Sequence, residues 1–243
     1  MKVVLNILNS EIRYEYIKNY LEENSTKSYK LFSEKIIPNS GNSYGVKVGP
    51  IKKLAKDIVN SKDNVLLLQK LFKSNMYEEK LLYGYIISLK KYNNFTEYSI
   101  NIDNYIKLID NWALCDLFVS SIKKNKKRYE DELFIYAKQL IDSDNEWEVR
   151  TGLVIILSNY LDEEKLDEIL NLIKKISIDS YYVKMAIAWL LSVMYIKYPD
   201  KITEIIKKKS LDKWIINKSI QKIIESNRVS KESKEDIRYY KIK

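Results

Sequence analysis

Histidine is absent from this chain, and cysteine occurs once, at position 115. Without histidine there is no Ser-His-Asp triad, no His–Cys dyad and no His-ligated metal site. A single thiol forms no internal disulfide and no Cys-X-X-Cys pair, which suits a reducing compartment. Five glycines are too few and too scattered for a GxGxxG or GxxxxGK[ST] phosphate-cradling loop. Three prolines join that shortage of turn residues in arguing against an all-β fold, which needs many turns. The longest apolar stretch, Val183 to Ile196, is too short to span a bilayer and is interrupted by Lys184. Lys2 and the short apolar stretch Val3–Leu8, with no small-residue cleavage site behind them, make a poor signal peptide. Any catalysis is left to carboxylates, Arg, Lys, Tyr, Trp or Ser/Thr. The expected setting is the cytoplasm.

Apolar residues make up 46% of 243 positions, enough for a sizeable core in one large domain or a repeat array. The formal charge is +9, which favours polyanionic partners. It is carried almost wholly by lysine, because Arg13, Arg128, Arg150, Arg228 and Arg238 are the only arginines. Many of those lysines are expected on solvated helix faces.

Helical periodicity runs nearly throughout. It predicts helices over 11–23, 28–37, 50–59, 65–72, 77–90, 112–123, 130–141, 146–160, 164–176, 181–198, 201–208 and 213–226. Pro50 suits a first helical turn, and Ser180 and Asp212 are expected N-caps. Residues 39–48 hold Gly41 and Gly45 and read as a loop. The polar tail after Val229 (230–243) is expected to fray, and the N-terminal forty residues are the least clearly organised.

An internal repeat underlies this pattern. Tyr77, Trp112, Trp147, Tyr182 and Asn217 stand 35 residues apart, each expected to open a helix, and an apolar run follows each one. A second, more polar helix separates these, so each repeat is a helix pair. One pair cannot bury its own apolar face, so such pairs stack. The expected fold is therefore all-α, a single α-solenoid domain over 1–243, with about six or seven HEAT-like helix pairs forming a curved, concave groove. The mostly aromatic opening column is expected to pack between layers.

The register also isolates residues that break the pattern. Four positions past each opening stand Leu81, Asp116, Thr151, Ala186 and Gln221, among which Asp116 is the only acid. Trp112 and Asp116 are spaced i, i+4 and share a helix face. Asp110 or Asn111 would cap that helix. A carboxylate among Leu114, Leu117 and Phe118 must be solvated, paired or functional, and a structural ion pair with Arg150 or a lysine is the plain alternative. Arg150 could equally stack on Trp147 or bridge to Glu146, and Trp189, inside the run AIAWLLSVM, could be core. The densest basic run, Lys123–Arg128, falls between helices, where a solvated turn is expected.

Several short blocks then carry a resemblance. They are YGVKV at 44–48 leading into IKKLAK at 51–56, DNWALCD at 110–116, WEVR at 147–150, YYVKMAIAW at 181–189 and NKSIQK at 217–222. Their order and spacing resemble the HEAT-like-repeat DNA alkylation repair family, from about Tyr44 to Ser230. The resemblance implies excision of N3- and N7-alkylated purines from double-stranded DNA by a monomer that needs no metal or other cofactor and no membrane. It implies Asp116 as the catalytic carboxylate, Trp112 and Trp189 as aromatics lining a DNA groove, and Arg150 as their basic partner. Lys184, Lys218, Lys222 and Arg228 are candidate phosphate contacts.

That chemistry suits the residue types present. Alkylation at N3 or N7 makes the purine a cation and a good leaving group. Its glycosidic bond then breaks toward an oxocarbenium ion, which a carboxylate beside the sugar stabilises while orienting water. Indole faces attract cations. No acid is needed to protonate the departing base, in keeping with a chain that has no histidine. Two rivals remain at this stage: a non-catalytic module that binds distorted or branched DNA, and a protein–protein scaffold. The preponderance of lysine over arginine weakens bidentate phosphate grip.

Overall fold

The computed structural model describes residues 10–60, 64–122, 125 and 127–243. The Val3–Leu8 stretch, and Lys123, Lys124 and Lys126 of the basic run, lie outside them. Among the described residues there are fourteen helices and no strand. An isolated antiparallel bridge joins Ser25 to Val46. The helices are α1 (Ser10–Glu23), α2 (Lys27–Ile36), α3 (Val48–Val59), α4 (Val65–Phe72), α5 (Tyr77–Leu89), α6 (Phe95–Ile106) and α7 (Trp112–Ile122). They continue with α8 (Glu130–Ile141), α9 (Glu146–Asn159), α10 (Glu163–Lys175), α11 (Tyr181–Lys197), α12 (Pro199–Lys207), α13 (Lys213–Glu225) and α14 (Lys231–Arg238). The architecture is all-α and solenoid-like.

By compactness the chain divides into two units, residues 1–129 and 130–243. In a repeat array each helix pair touches only its neighbours, so compactness belongs to local groups of helices. Within the first unit, α3, α5 and α7 form a row, with α4 and α6 packed on α5 and α1 on α4. Within the second, α9, α11 and α13 form a row, with α8 on α9, α12 on α11 and α14 on α13. The 35-residue register appears as bonds between successive pairs. Ser43 and Tyr44 reach Glu78 and Glu79, 35 residues on. The Tyr129 hydroxyl donates to the Tyr92 carbonyl, and Lys197 to that of Leu161.

Amphipathic spacing explains the helices that flank the rows. In α10, Leu166, Ile169, Leu170 and Ile173 are buried while the acids and lysines between them face out. The middle helix of the first row is buried nearly all round: α5 is buried from Tyr77 to Ser88, apart from Lys80. Gly84 makes room for this packing, since a Cβ there would lie 2.6 Å from the Tyr105 ring. Tyr105 in turn packs on Phe118 of α7 with ring centroids 4.1 Å apart.

Three expectations need correction. Helix α6 escapes the periodic reading because TEYSINIDNY is rich in Asn, Asp, Ser and Thr, which favour caps and turns. The Asn94 side chain caps it, and Tyr98, Ile102, Tyr105 and Ile106 are buried. Asn217 does not open a helix but sits a turn inside α13. The tail does not fray over its length, because 231–238 form α14, with Ile237 only 1% exposed. Asn217 secures the chain beyond it by donating to the Ile242 carbonyl and accepting from the Ile242 amide, both at 2.8 Å.

Candidate functional site

The segment DNWALCD is wired into the first unit before its helix begins. Asn111, fully buried, caps α7 by accepting from the Leu114 amide at 3.0 Å. Its own amide donates to Asp110 Oδ1 at 2.8 Å. Asp110 Oδ2 pairs with Lys80 Nζ of α5 at 2.6 Å, and the Asp110 carbonyl accepts from the Asn39 side chain at 3.1 Å. These bonds fix where α7 starts and which face it turns outward.

That outward face carries the predicted carboxylate. Along α7, Ala113, Leu114, Cys115, Phe118, Val119 and Ile122 are buried. Trp112, Asp116, Leu117 and Ser121 are half-buried, and Ser120 is exposed. Trp112, Asp116 and Ser120 therefore form one accessible stripe at i, i+4, i+8. The Trp112 indole N–H donates to the Ile36 carbonyl at the end of α2, at 3.1 Å, which sets the ring's orientation. At the position equivalent to Asp116 in other repeats, Leu81, Thr151 and Ala186 are buried and Gln221 is exposed, whereas Asp116 is half-open.

In the second unit, Arg150 is only 5% exposed. Its Nη1 donates to the Tyr182 carbonyl at 2.8 Å, and the guanidinium lies 5.9 Å from the Tyr182 ring centroid. Sequence reasoning missed Tyr182 as a partner, although the 35-residue column pointed to it. Trp147 stacks at a tilt on the same ring, centroids 5.1 Å apart. The contact between aromatics one repeat apart is the packing expected of that column. Tyr181, exposed, continues the series edge-on to Trp214 at 5.8 Å.

Trp189 is half-buried on α11, in line with the half-buried Met185 and Val193, so it is not core. Lys218 and Lys222 share an outward stripe of α13 with Trp214. Lys218 Nζ lies 5.5 Å from the Trp214 ring centroid and bonds Gln221. Lys184 pairs with Asp179, whose adjacent carboxylate holds the ammonium above the usual lysine range. Arg228 is exposed in the turn before α14, its amide donating to Ser226 Oγ.

Among the described residues, no group of three or more acids or thiols is placed to hold a metal, and no helix is long and apolar enough to cross a membrane. No curated protein matches this chain, and no solved structure does. The family model described as DNA alkylation repair enzyme matches residues 17–223. With most of its length covered, from α1 to α13, the chain belongs to the DNA alkylation repair enzyme family.

Proposed function

We propose that this protein is a DNA glycosylase that releases N3- and N7-alkylated purines from duplex DNA. One observation carries this reading: Trp112 and Asp116 stand together on the accessible stripe of α7, in a chain of the DNA alkylation repair family. In the reading, the cationic purine departs as the C1′–N bond breaks, and the electron pair of that bond leaves with the base. The Asp116 carboxylate stabilises the positive charge left on the sugar and orients the water that adds at C1′. The proton lost by that water goes to solvent or to the released base. Trp112 offers an indole face to the cationic lesion or the sugar, and Trp189 is a further aromatic contact to the DNA. Arg150, held against Tyr182, acts as a positioning residue for the start of α11. Lys184, Lys218, Lys222 and Arg228 supply phosphate contacts. The protein works as a monomer in the cytoplasm.

The chain's charge of +9 suits equally a second reading, in which it recognises distorted DNA without cleaving it. Methylated duplex DNA separates the two. The glycosylase releases free methylpurine, and Asp116→Asn slows release by a factor on the order of 10²–10³, the cost of removing one charge-stabilising group. Binding with no base release, unaltered in Asp116→Asn, would instead establish the recognition module.

A further inference from the structure

The row α3–α5–α7 borders a half-open pocket of about 110 Å³ that no part of the reaction above uses. Lys52 and Lys56 of α3 line it, with Tyr85 and Ser88 of α5 and Ser120 and Ser121 of α7. The two lysines are spaced i, i+4, so their ammoniums share a face. Lys52 Nζ is steered by the Tyr85 ring, 5.3 Å from its centroid. Among the described residues neither lysine has an ion pair, and no carboxylate lines the cavity. Two like charges held together with no counter-charge are a standing attraction for an anion.

Of the other lining hydroxyls only that of Ser120 is left for an anion. The Ser88 and Ser121 hydroxyls donate to carbonyls of their own helices, at 2.9 and 2.6 Å, so their protons are already spent. Ser120 is exposed. Tyr85 is 2% exposed, and its hydroxyl has no hydrogen-bond partner among the described residues. That hydroxyl is sealed from solvent, so Tyr85 contributes its ring to the lining and not a donor, and burial raises its pKa. At ~30 Å³ per water, the volume holds about four water-sized atoms. That is room enough for a tetrahedral oxyanion.

The position of the cavity says where the anion comes from. Ser120 lies four residues past Asp116 on the same stripe, about 6 Å along the helix axis. Along one DNA strand, phosphates recur about every 3.4 Å of axis. An oxyanion here is thus within one or two nucleotides of a sugar at Asp116. We propose that this cavity is a subsite for one backbone phosphate of the DNA strand, held by the Lys52 and Lys56 ammoniums and the Ser120 hydroxyl. The inference rests on the DNA-binding part of the reading above, and not on glycosidic cleavage.

The test is the salt dependence of duplex affinity for the wild type and the Lys52→Gln/Lys56→Gln double variant, at full length, on methylated and unmodified duplexes. Loss of one phosphate contact makes the plot of log affinity against log salt shallower by about 0.9. Affinity falls on the order of tenfold, equally on both duplexes. Thermal melting of the variant stays at the wild-type value, because both lysines are exposed. Ser120→Ala weakens binding a few-fold without changing the slope. An unchanged slope in the double variant overturns the subsite, and so does a wild type that does not bind DNA. Titration with inorganic phosphate separates the two sources. Phosphate binding that is lost in the variant, with the duplex slope unchanged, marks a site for free oxyanion and overturns the backbone assignment. Base release separates this proposal from the glycosylase reading. A wild type that binds through these lysines but releases no base keeps the subsite and loses the enzyme. A wild type that releases base, with an unchanged slope in the variant, does the reverse.

Discussion

Two acidic sites in the first unit, Glu78–Glu79 and Asp116, contrast carboxylates buried within the fold with one that stands beside solvent. Glu78 and Glu79, at the start of α5, are each only 1% exposed. Glu78 accepts from the Ser43 hydroxyl and from the amides of Tyr44, Gly45 and Val46, at 2.8 to 3.0 Å. Glu79 accepts from the hydroxyls of Tyr14 and Tyr44, both at 2.7 Å. Together they pin the 37–47 loop and α1 against α5, with their oxygens taken up by donors. Asp116, on the next helix of the row, is half-open and lies on a stripe with an indole and a serine. A buried charge is tolerated when its oxygens are satisfied. In its repeat column Leu81, Thr151 and Ala186 are buried, while Asp116 and Gln221 are the two positions that meet solvent.

Substitutions can break this contrast. Asp116→Asn should leave urea denaturation within about 0.5 kcal/mol of wild type, as for a surface change, while base release falls by the factor given above. A large loss of stability would place Asp116 with Glu78 as a structural acid. Glu78→Ala should do the opposite. It strands three backbone amides in a buried setting and should cost about 3 kcal/mol or more by urea denaturation. Gly45→Ala tests the same loop from its other side. Gly45 has φ +87°, and a Cβ there would lie 2.7 Å from Lys30 Cβ and 2.8 Å from the Thr26 carbonyl oxygen. About 1–3 kcal/mol should be lost.

The smallest effect sharpens the comparison through pH. Burial, with the Glu79 carboxylate beside it, pushes the Tyr14 hydroxyl up to about 12. The unfolded chain loses that proton near pH 10 while the folded chain keeps it. The stabilisation is therefore whole below pH 10 and fades as pH rises toward 12. Tyr44, Tyr77 and Tyr98, each raised chiefly by burial, add to the same alkaline fall. Tyr14→Phe should cost about 1 kcal/mol at neutral pH and flatten part of that fall in melts taken from pH 9 to 12. An unchanged profile would mean that Tyr14 and Glu79 are not coupled.

The helices were largely legible because their apolar spacing is a local property. Residues 65–72 and 130–141 carry enough periodic apolar positions to mark both ends. Helix α6 was hidden because half of its buried residues are tyrosines and all are set among Asn, Asp, Ser and Thr, and only tertiary packing turns them into a core face. The tail was misread for a similar reason. Its composition is polar, and what holds it is Asn217, a side chain 25 residues away. Of the candidate site, the Trp112–Asp116 face followed from i, i+4 spacing. The Arg150 partner did not, because Tyr182 comes close only when α9 and α11 pack. The cavity between α3, α5 and α7 left no sequence signal, since its two lysines look like any others.

The sequence by itself determined the helical class, the 35-residue period and the place of the one acid that breaks it, because each depends on residue spacing along a single helix. Tertiary structure alone decided which charges are spent and which are open. Glu78, Glu79 and Lys80 are consecutive charged residues, yet the first closes a loop, the second binds two tyrosines and the third pairs with Asp110. Those fates depend on the partners that packing brings to each side chain, and no local pattern encodes them.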